Sequence, residues 1–433
     1  MDNNAIDDIK NSLSSYLTIS LNEKQLIQDN IVELFKEFIQ LDPLNISNPN
    51  FDKNLKNYIY KNIIASLENI YSHCDRYKMR KRIKKIIIKT KNYSYNRYIP
   101  YRSYKTSFIR RVKQNYQHLK NKIKILRELP QPQQRTDEWY IFRHNLLTAS
   151  SIWKCFASQS IINSLIYEKC KPYTLYKNAS CDSPLHWGQK YEPVSIQLYE
   201  NLYNTTIEDF GCIQHPKYPF IGASPDGINV DADNPRFARM LEVKNIVNRE
   251  ITGIPKFDYW IQMQIQMEVC NLNECDFLET RFIEYENEEE FLKDGSYRLT
   301  HQGKQKGTIM YFIKDGQPLY EYAPWNCNKN QFEKWESEMM IKHKNLTWMQ
   351  NMYWYLDQVS CVLVLRNKYW FKIAKPKLYT VWNIIEKERI SGYQHRAPNK
   401  KNKTITQSKN IISKCHIDIN SLLSDNNEVT KNS

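Results

Sequence analysis

The stretch FIGASPDGINVDADNPRFARMLEVKN, Phe220 to Asn245, decides how this chain is read. Near its end, Leu241 and Val243 alternate with Glu242 and Lys244. At a period of two, Leu241 and Val243 turn to the core face of a strand, and Glu242 and Lys244 share the other face. Upstream, Asp226 sits in a Ser-Pro-Asp-Gly turn, with fifteen residues between it and Glu242. If the segment before Asn229 is also a strand, the two form a hairpin with a long polar loop, and Asp226 lies near the same edge as Glu242. Two carboxylates placed together suit a hard divalent cation, which prefers oxygen ligands. Such a cation polarises a phosphate and helps make hydroxide from water. A lysine beside it orients that water or offsets the charge that develops. The set points to metal-assisted phosphodiester cleavage. Ser-Pro-Asp-Gly alone is an ordinary turn, and Glu-Val-Lys alone an ordinary exposed strand; the combination carries the reading.

Beyond this stretch, 433 residues are enough for two or three domains. No apolar run has transmembrane length and no signal peptide is seen, so an intracellular protein is expected. The ten cysteines include no C-x-x-C pair, so reduced thiols are expected and a zinc site is not. The net charge of +15 is concentrated: residues 71–130 hold nineteen Lys and Arg against Asp75 and Glu128 alone. A concentrated basic block is a stronger sign of nucleic-acid contact than a high isoelectric point.

Upstream of that block, Leu26, Ile27, Ile31, Leu34, Phe35, Phe38 and Ile39 make one helical stripe ended by Asp42-Pro43, and a second amphipathic helix is expected over Leu55 to Tyr71. Residues 1–70 are therefore read as a helical N-terminal region. The block itself, 71–130, carries Arg80, Lys81, Arg82, Lys84 and Lys85, then Arg110 and Arg111, interleaved with Tyr93, Tyr95, Tyr98, Tyr101 and Tyr104. Cations there can neutralise phosphates and tyrosines can stack on unpaired bases. A solvated linker is the alternative.

Beyond Pro130 and Pro132, Thr136 is a natural N-cap with acids following it, and Trp139 and Arg143 lie one turn apart. A further helix is expected near Ser150, whose start beside Arg143 makes a ready anion site. In PLHWGQKYEPVSIQLYENLYN, residues 184–204, Tyr191, Val194, Leu198 and Leu202 form an apolar stripe, and Glu192 lies off it before Pro193. The helix starting at Pro255 places Trp260, Met263, Met267 and Cys270 in one sector and Gln262 and Gln266 in another, with Gln264 pointing back toward the first. Strands are expected over Phe277–Ile283, Thr308–Ile313 and Pro318–Tyr322, with a hairpin turn at Lys314–Gln317. Glu284–Asp294 reads as a solvated connection, and a Trp- and Met-rich helix is expected over Gln331–Leu356. From Ser391 the chain is Lys/Asn/Ser-rich and reads as disordered.

GASPDG followed by LEVK resembles the PD-(D/E)XK nuclease signature, in the form of the lambda-exonuclease branch, also called the YqaJ-like viral recombinase family. The strings R-T-x-x-W-(x)3-R…T-A-S from Arg135 and W-G-x-x-x-E-P from Trp187 resemble that family's flanking motifs. The resemblance runs from Arg135 to Tyr322 and more loosely to Trp382. It implies an α/β fold with a restriction-endonuclease-like core, a mixed central β-sheet flanked by helices, with extra helical N- and C-terminal parts. The core is then 131–325, the helical C-terminal extension 326–390 and the polar tail 391–433. It also implies Asp226, Glu242 and the Val243 carbonyl as ligands of one or two Mg²⁺ or Mn²⁺ ions, Lys244 at the attacking water, and Glu192 and Gln262 at the same centre. Arg143 and Ser150 would hold a 5′-phosphate; where the family often has glycine after that arginine, His144 and Asn145 follow here. The implied reaction is 5′ to 3′ digestion of one strand at duplex DNA ends. A single-strand annealing protein is the implied partner, and ring-shaped trimers in some relatives raise a homo-oligomer. An endonuclease or resolvase on the same core, or a non-catalytic DNA-binding or packaging protein, are the competing readings.

Overall fold

The computed structural model describes residues 19–68, 76–105, 107, 115–174 and 184–398. Arg110 and Arg111, the first dozen residues and the tail from 399 onward lie outside the described residues.

Ser20 starts the first helix through a capping box: its hydroxyl accepts from Glu23 N–H, and the Glu23 carboxylate reaches back to Ser20 N–H. Helix α1 (Leu21–Leu41) buries Ile27, Ile31, Phe35 and Ile39, the i, i+4, i+8 seam of its stripe. Leu26, at the edge of that stripe, stays exposed. Helices α2 (Phe51–Glu68) and α3 (Arg76–Arg97) pack on it. Phe35 meets the Tyr95 ring edge-on at 5.2 Å between centroids. Part of the basic block is spent inside this packing. Lys91 pairs with Asp52 across α2 and α3, and Arg102 is buried, donating to the carbonyls of Ser47 at 2.8 Å and Pro255 at 3.0 Å. Pro255 lies just before the helix that starts at Phe257, so Arg102 ties the N-terminal helices to the α/β part of the chain. The buried residues of α1–α3 join one continuous core with the later elements.

After α4 (Tyr116–Glu128) come α5 (Asp137–His144), β1 (Leu147–Thr148), the short α6 (Ala149–Ile152), α7 (Gln159–Cys170) and α8 (Pro184–Tyr203), which runs through Pro193. Two sheets come next. The smaller has the order β1-β4-β3, with β3 at Ile213–Gln214 and β4 at Ile221–Ala223. The larger has seven strands in the order β2-β5-β6-β7-β10-β8-β9. Its members are β2 (Ile207–Glu208), β5 (Gly227–Asn229), β6 (Met240–Asn245), β7 (Glu274–Glu284), β8 (Lys306–Lys314), β9 (Gln317–Tyr322) and β10 (Thr347–Leu365). Helices α9 (Phe257–Val269), α10 (Glu288–Lys293), α11 (Lys329–Lys342) and α12 (Lys368–Ser391) complete the chain.

Strands β6 and β7 pair in parallel, with α9 as the crossover, and the other neighbours in the large sheet are antiparallel. The result is the mixed sheet flanked by helices that the sequence motifs imply. β6 is covered on both faces. Leu241 and Val243 cluster with Tyr199 and Ile196 of α8 and with Leu278, while Glu242 bonds to Gln266 of α9 on the other side.

Two expectations fail. The segment expected as one helix over Gln331–Leu356 is a helix only to Lys342; Thr347–Leu365 is a 19-residue strand. Its first half pairs with β8 and its second half with β7, with irregularities at Trp348/Gln350 and Leu356/Gln358. Residues 326–390 are therefore not a wholly helical extension, because their middle third completes the main sheet. The acidic connection Glu284–Asp294 contains α10, anchored by fully buried Phe291. The hairpin between β8 and β9 stands where its Asp-Gly sequence puts it: Asp315 and Gly316 both take positive φ, 52° and 73°.

Candidate active site

Asp226 closes the turn that leads from β4 into β5. The β5–β6 register sets Gly227 opposite Leu241, which brings Asp226 level with the middle of β6. Its Oδ2 accepts the Val243 N–H at 2.7 Å. Glu242, one residue earlier, is fully buried. Its Oε2 accepts from Gln266 Nε2 at 2.6 Å, and its Oε1 pairs with the Lys244 ammonium. Lys244 keeps 23% of its side-chain exposure and lies 5.1 Å from the Tyr259 ring centre. The period-two alternation thus puts Glu242 and Lys244 on one face, with Asp226 in the turn that enters the neighbouring strand.

Burial pushes the Glu242 carboxyl up to about 7; the Asp226 charge adds to the rise, and Lys244 and Gln266 hold it back. Burial likewise lifts Asp226 to about 6, with Lys244 pulling down and Glu192 pushing up. Glu192 is raised by burial against the pull of Arg135 and Lys244. For Lys244 burial alone would lower the pKa, but the Glu242 and Asp226 carboxylates outweigh it and raise the value. Three carboxyls therefore crowd round Lys244 and Arg135 where burial first, and then their mutual repulsion, disfavours the charged forms. Such a set gains from a divalent cation, and its oxygen donors suit a hard one. Among the described residues no cluster of three His, Cys, Asp or Glu side chains stands at metal-ligand spacing. The oxygen donors brought together here are the Asp226 and Glu242 carboxylates, with Glu192 in the cleft wall.

The neighbouring wall of the cleft is built by α5 and β4. Thr136 caps α5 by accepting the Trp139 N–H. Arg143, one turn after Trp139, lies 4.1 Å over its ring. The guanidinium donates to Ser150 Oγ at 3.0 Å and to Ser224 Oγ at 3.2 Å, and Ser224 Oγ also accepts from Trp139 Nε1 at 3.1 Å. Below, the Lys169 ammonium donates to the Arg143 carbonyl at 2.8 Å, and burial lowers that lysine to about 8. Neither His144 nor Asn145 has positive φ, so the glycine often found after this arginine is not needed here. Both halves open on one cleft of about 250 Å³, whose walls include Arg143, Ser150, Ser224, Glu192, Asp226 and Gln262.

The three glutamines of α9 separate by helical geometry. Gln262 lines the cleft. Gln264 turns away and clamps Leu365 O at 3.0 Å and the Asn367 N–H at 2.6 Å. Gln266, one turn after Gln262, is the glutamine that touches Glu242. Sequence reasoning singled out Gln262 and passed over Gln266, although both fall in one sector of the helix. It also missed Ser224, two residues before Asp226, and Arg135. Arg135 has φ of 69° and donates to Glu192 Oε2 at 2.7 Å.

Arg80, Lys81, Arg82, Lys84 and Lys85 are exposed on α3, with Ile83 and Ile87 buried on its other side. None of them lines the cleft. Tyr95 and Tyr101 stack on each other at 3.9 Å, inside the protein. No helix among the described residues is long and apolar enough to cross a membrane.

Residues 138–273 match the YqaJ-like viral recombinase domain. An uncharacterised protein of Acanthamoeba polyphaga mimivirus is 27% identical over 309 residues, covering 63% of this chain and 56% of that protein. The chain thus spans about half the length of this curated relative. The solved alkaline exonuclease of Laribacter hongkongensis, alone and in complex with dAMP, superposes with a TM-score of 0.35 at 19% identity, over 59% of this chain and 94% of that one. The match to the YqaJ-like viral recombinase domain runs from Glu138 to Asn273 and so takes in Arg143, Ser150, Glu192, Asp226, Glu242, Lys244 and Gln262.

Proposed function

We propose that this chain is a divalent-metal-dependent deoxyribonuclease that digests duplex DNA from 5′-phosphorylated ends. The observation that carries the reading is the sharing of one cleft by two unlike halves. One half is lined by Asp226 and Glu192, with Glu242 and Lys244 on the strand beside Asp226; the other holds a half-buried arginine with two hydroxyls converging on it. A non-catalytic binder has no use for crowded carboxylates where phosphate must approach. An endonuclease has no use for an end-binding pocket beside them.

Asp226, Glu242 and the Val243 carbonyl would hold one or two Mg²⁺ or Mn²⁺ ions, with Glu192 at the rim. When bound, such an ion polarises the scissile phosphate and lowers the pKa of water. Gln266 fixes the Glu242 carboxylate from behind, as outer-shell partners of metal ligands do. Lys244, exposed enough to meet solvent, orients the attacking water and neutralises the developing charge. Arg143 presents a fork of donors to a terminal phosphate, with Ser150 and Ser224 as further donors, and Trp139 holds the guanidinium in place. The exposed cations of α3 would meet the duplex backbone away from the cleft. The 5′ to 3′ polarity, the recombination role and an annealing partner are carried over from the resemblance to the YqaJ-like family alone.

The test uses linear duplex with a 5′-phosphate, labelled at either end, beside a closed circle and Mg²⁺. Mononucleotides released from the 5′ end, an intact circle and no product from Lys244→Ala are expected. In Arg143→Ala the preference for 5′-phosphate over 5′-hydroxyl ends should vanish. A circle nicked as fast as the linear DNA is cut would replace the exonuclease by an endonuclease. Binding without cleavage in Mg²⁺ or Mn²⁺ would leave only a binder.

A further inference from the structure

A second groove, of about 510 Å³, opens between the N-terminal helices and the core. One wall is the end of α3 and the segment after it, with Arg97, Tyr98 and Pro100. The other is the end of β10 and the start of α12, with Arg366, Lys368 and Tyr369. Its volume falls within the roughly 300–1,000 Å³ that encloses a small ligand.

Four features of this groove point one way. Its walls carry three cations, Arg97, Arg366 and Lys368, and no carboxylate. Glu268, which pairs with Arg366 at 2.6 Å, offsets only one of them. Lys122 lies close enough that its pKa is lowered, first by burial and then by the charges of Arg366 and Lys368. The 24-residue helix α12 starts in this wall, and the first N–H groups of a helix have no partner within it. Finally, Asn367, 1% exposed, has an orphaned donor. Its Oδ1 caps the helix by accepting the Trp370 N–H at 2.9 Å, which fixes the amide orientation, and its buried Nδ2 has no hydrogen-bond partner. An anion held between Lys368 and the start of α12 answers the excess charge and offers that donor an acceptor. Beside it stand Tyr98, 38% exposed, and Tyr369. Aromatic rings next to an anion site are what a strand of unpaired nucleotides uses.

We infer that this groove binds single-stranded DNA, with a phosphate at the start of α12 between Arg366 and Lys368 and bases stacked on Tyr98 and Tyr369. It is distinct from the nuclease cleft. Gln262 of α9 lines that cleft and Gln266 bonds to Glu242, while Gln264 turns the other way and holds Asn367. The groove therefore works whether or not the cleft cuts DNA.

The test measures fluorescence anisotropy of a labelled twelve-residue oligo-dT with the full chain carrying Lys244→Ala, in EDTA, so that no strand is cut. The oligonucleotide should bind more tightly than a blunt duplex hairpin of the same length and resist competition by dTMP. Lys368→Glu, at an exposed first helical position that tolerates an acid, should weaken binding about tenfold. It should also flatten the salt dependence by about one phosphate contact. Tyr98→Ala and Tyr369→Ala should each cost roughly 5- to 150-fold, the usual strength of base–aromatic stacking. Lys334→Glu, an exposed lysine on α11 outside the groove, is the control and should change binding less than twofold. Equal losses in Lys334→Glu and Lys368→Glu would overturn the site in favour of diffuse attraction. Wild-type affinity in all three groove variants would overturn it outright. Competition by dTMP at parity with the oligonucleotide would make it a mononucleotide site, and tighter duplex binding a duplex site; either result overturns the strand-binding inference.

Discussion

At the scale of single residues, the cleft is held in an electrostatically unfavourable state. In the folded chain Asp226 titrates near 6 and Glu242 near 7, both above ordinary carboxyls. Between about pH 4 and 7 the folded state keeps protons that the unfolded state has released, so stability falls as pH rises through this window. Asp226→Asn removes one of these charges and keeps an acceptor for the Val243 N–H. Without metal, the variant should be more stable than the parent at pH 8, by at most about 3 kcal/mol for a shift near two units. The difference should vanish near pH 4; thermal melts at both pH values decide it. The same residues set the metal dependence. Mn²⁺ should raise the melting temperature of the parent strongly at pH 8 and little at pH 5.5, and should not raise that of Asp226→Asn at either. Gln266 tests the support of Glu242. Gln266→Ala should weaken Mn²⁺ affinity and activity roughly 10- to 100-fold, as losses behind metal ligands usually do, while 5′-phosphate preference persists. Loss of that preference would assign Gln266 to end recognition.

At the scale of elements, the legible parts were those in which local pattern and global role agree. Leu241 and Val243 alternate with Glu242 and Lys244 because β6 is packed differently on its two faces, and the Asp-Gly turn at 315–316 imposes its own hairpin. Strand β10 was illegible because Trp348, Met352, Tyr353 and Trp354 are apolar at positions that satisfy neither period cleanly. Its two halves serve different neighbours, β8 and β7, so no single face is consistently buried. Gln266 was illegible for another reason: a glutamine on a buried helix flank acquires a role only when β6 brings Glu242 to it. Element geometry also depends on a buried ionic network without a local sequence signal. Asp276 of β7, opposite Leu241 in register, accepts from Tyr199 OH at 2.6 Å and pairs with Arg236 and Arg239. These arginines come from the loop between β5 and β6, so the network pins the hairpin that carries Asp226 and Glu242. Asp276→Ala leaves buried Arg236 without its carboxylate and Arg239 with Glu274 alone, and should cost about 3–5 kcal/mol, read by urea unfolding. A loss below about 1 kcal/mol, the worth of an ordinary exposed pair, would mean that the hairpin is held by its hydrophobic contacts alone.

At the scale of the whole molecule, the N-terminal helices belong to the same folding unit as the cleft. The Pro43–Ser47 turn lies against α9 and α12. Arg102 spans Ser47 and Pro255, and its carbonyl accepts from Trp260 Nε1 at 3.0 Å. Trp260 is 1% exposed and sits edge-on to Trp370 at 5.3 Å. Removing the chain before Asn115 would uncover this tryptophan pair and the faces of α9 and α12 against which the Pro43–Ser47 turn and Arg102 pack. Gln262 and Gln266 ride on α9, so the cleft would lose its backing as well as the protein its core. The truncated chain should keep much of its far-ultraviolet circular dichroism, lose its near-ultraviolet signal and bind a hydrophobic dye, the marks of lost side-chain packing. It should also lose nuclease activity on a short duplex too small to reach α3. Cooperative unfolding and full activity on that substrate would instead make the N-terminal helices a separable attachment, and the basic face of α3 an accessory for longer DNA.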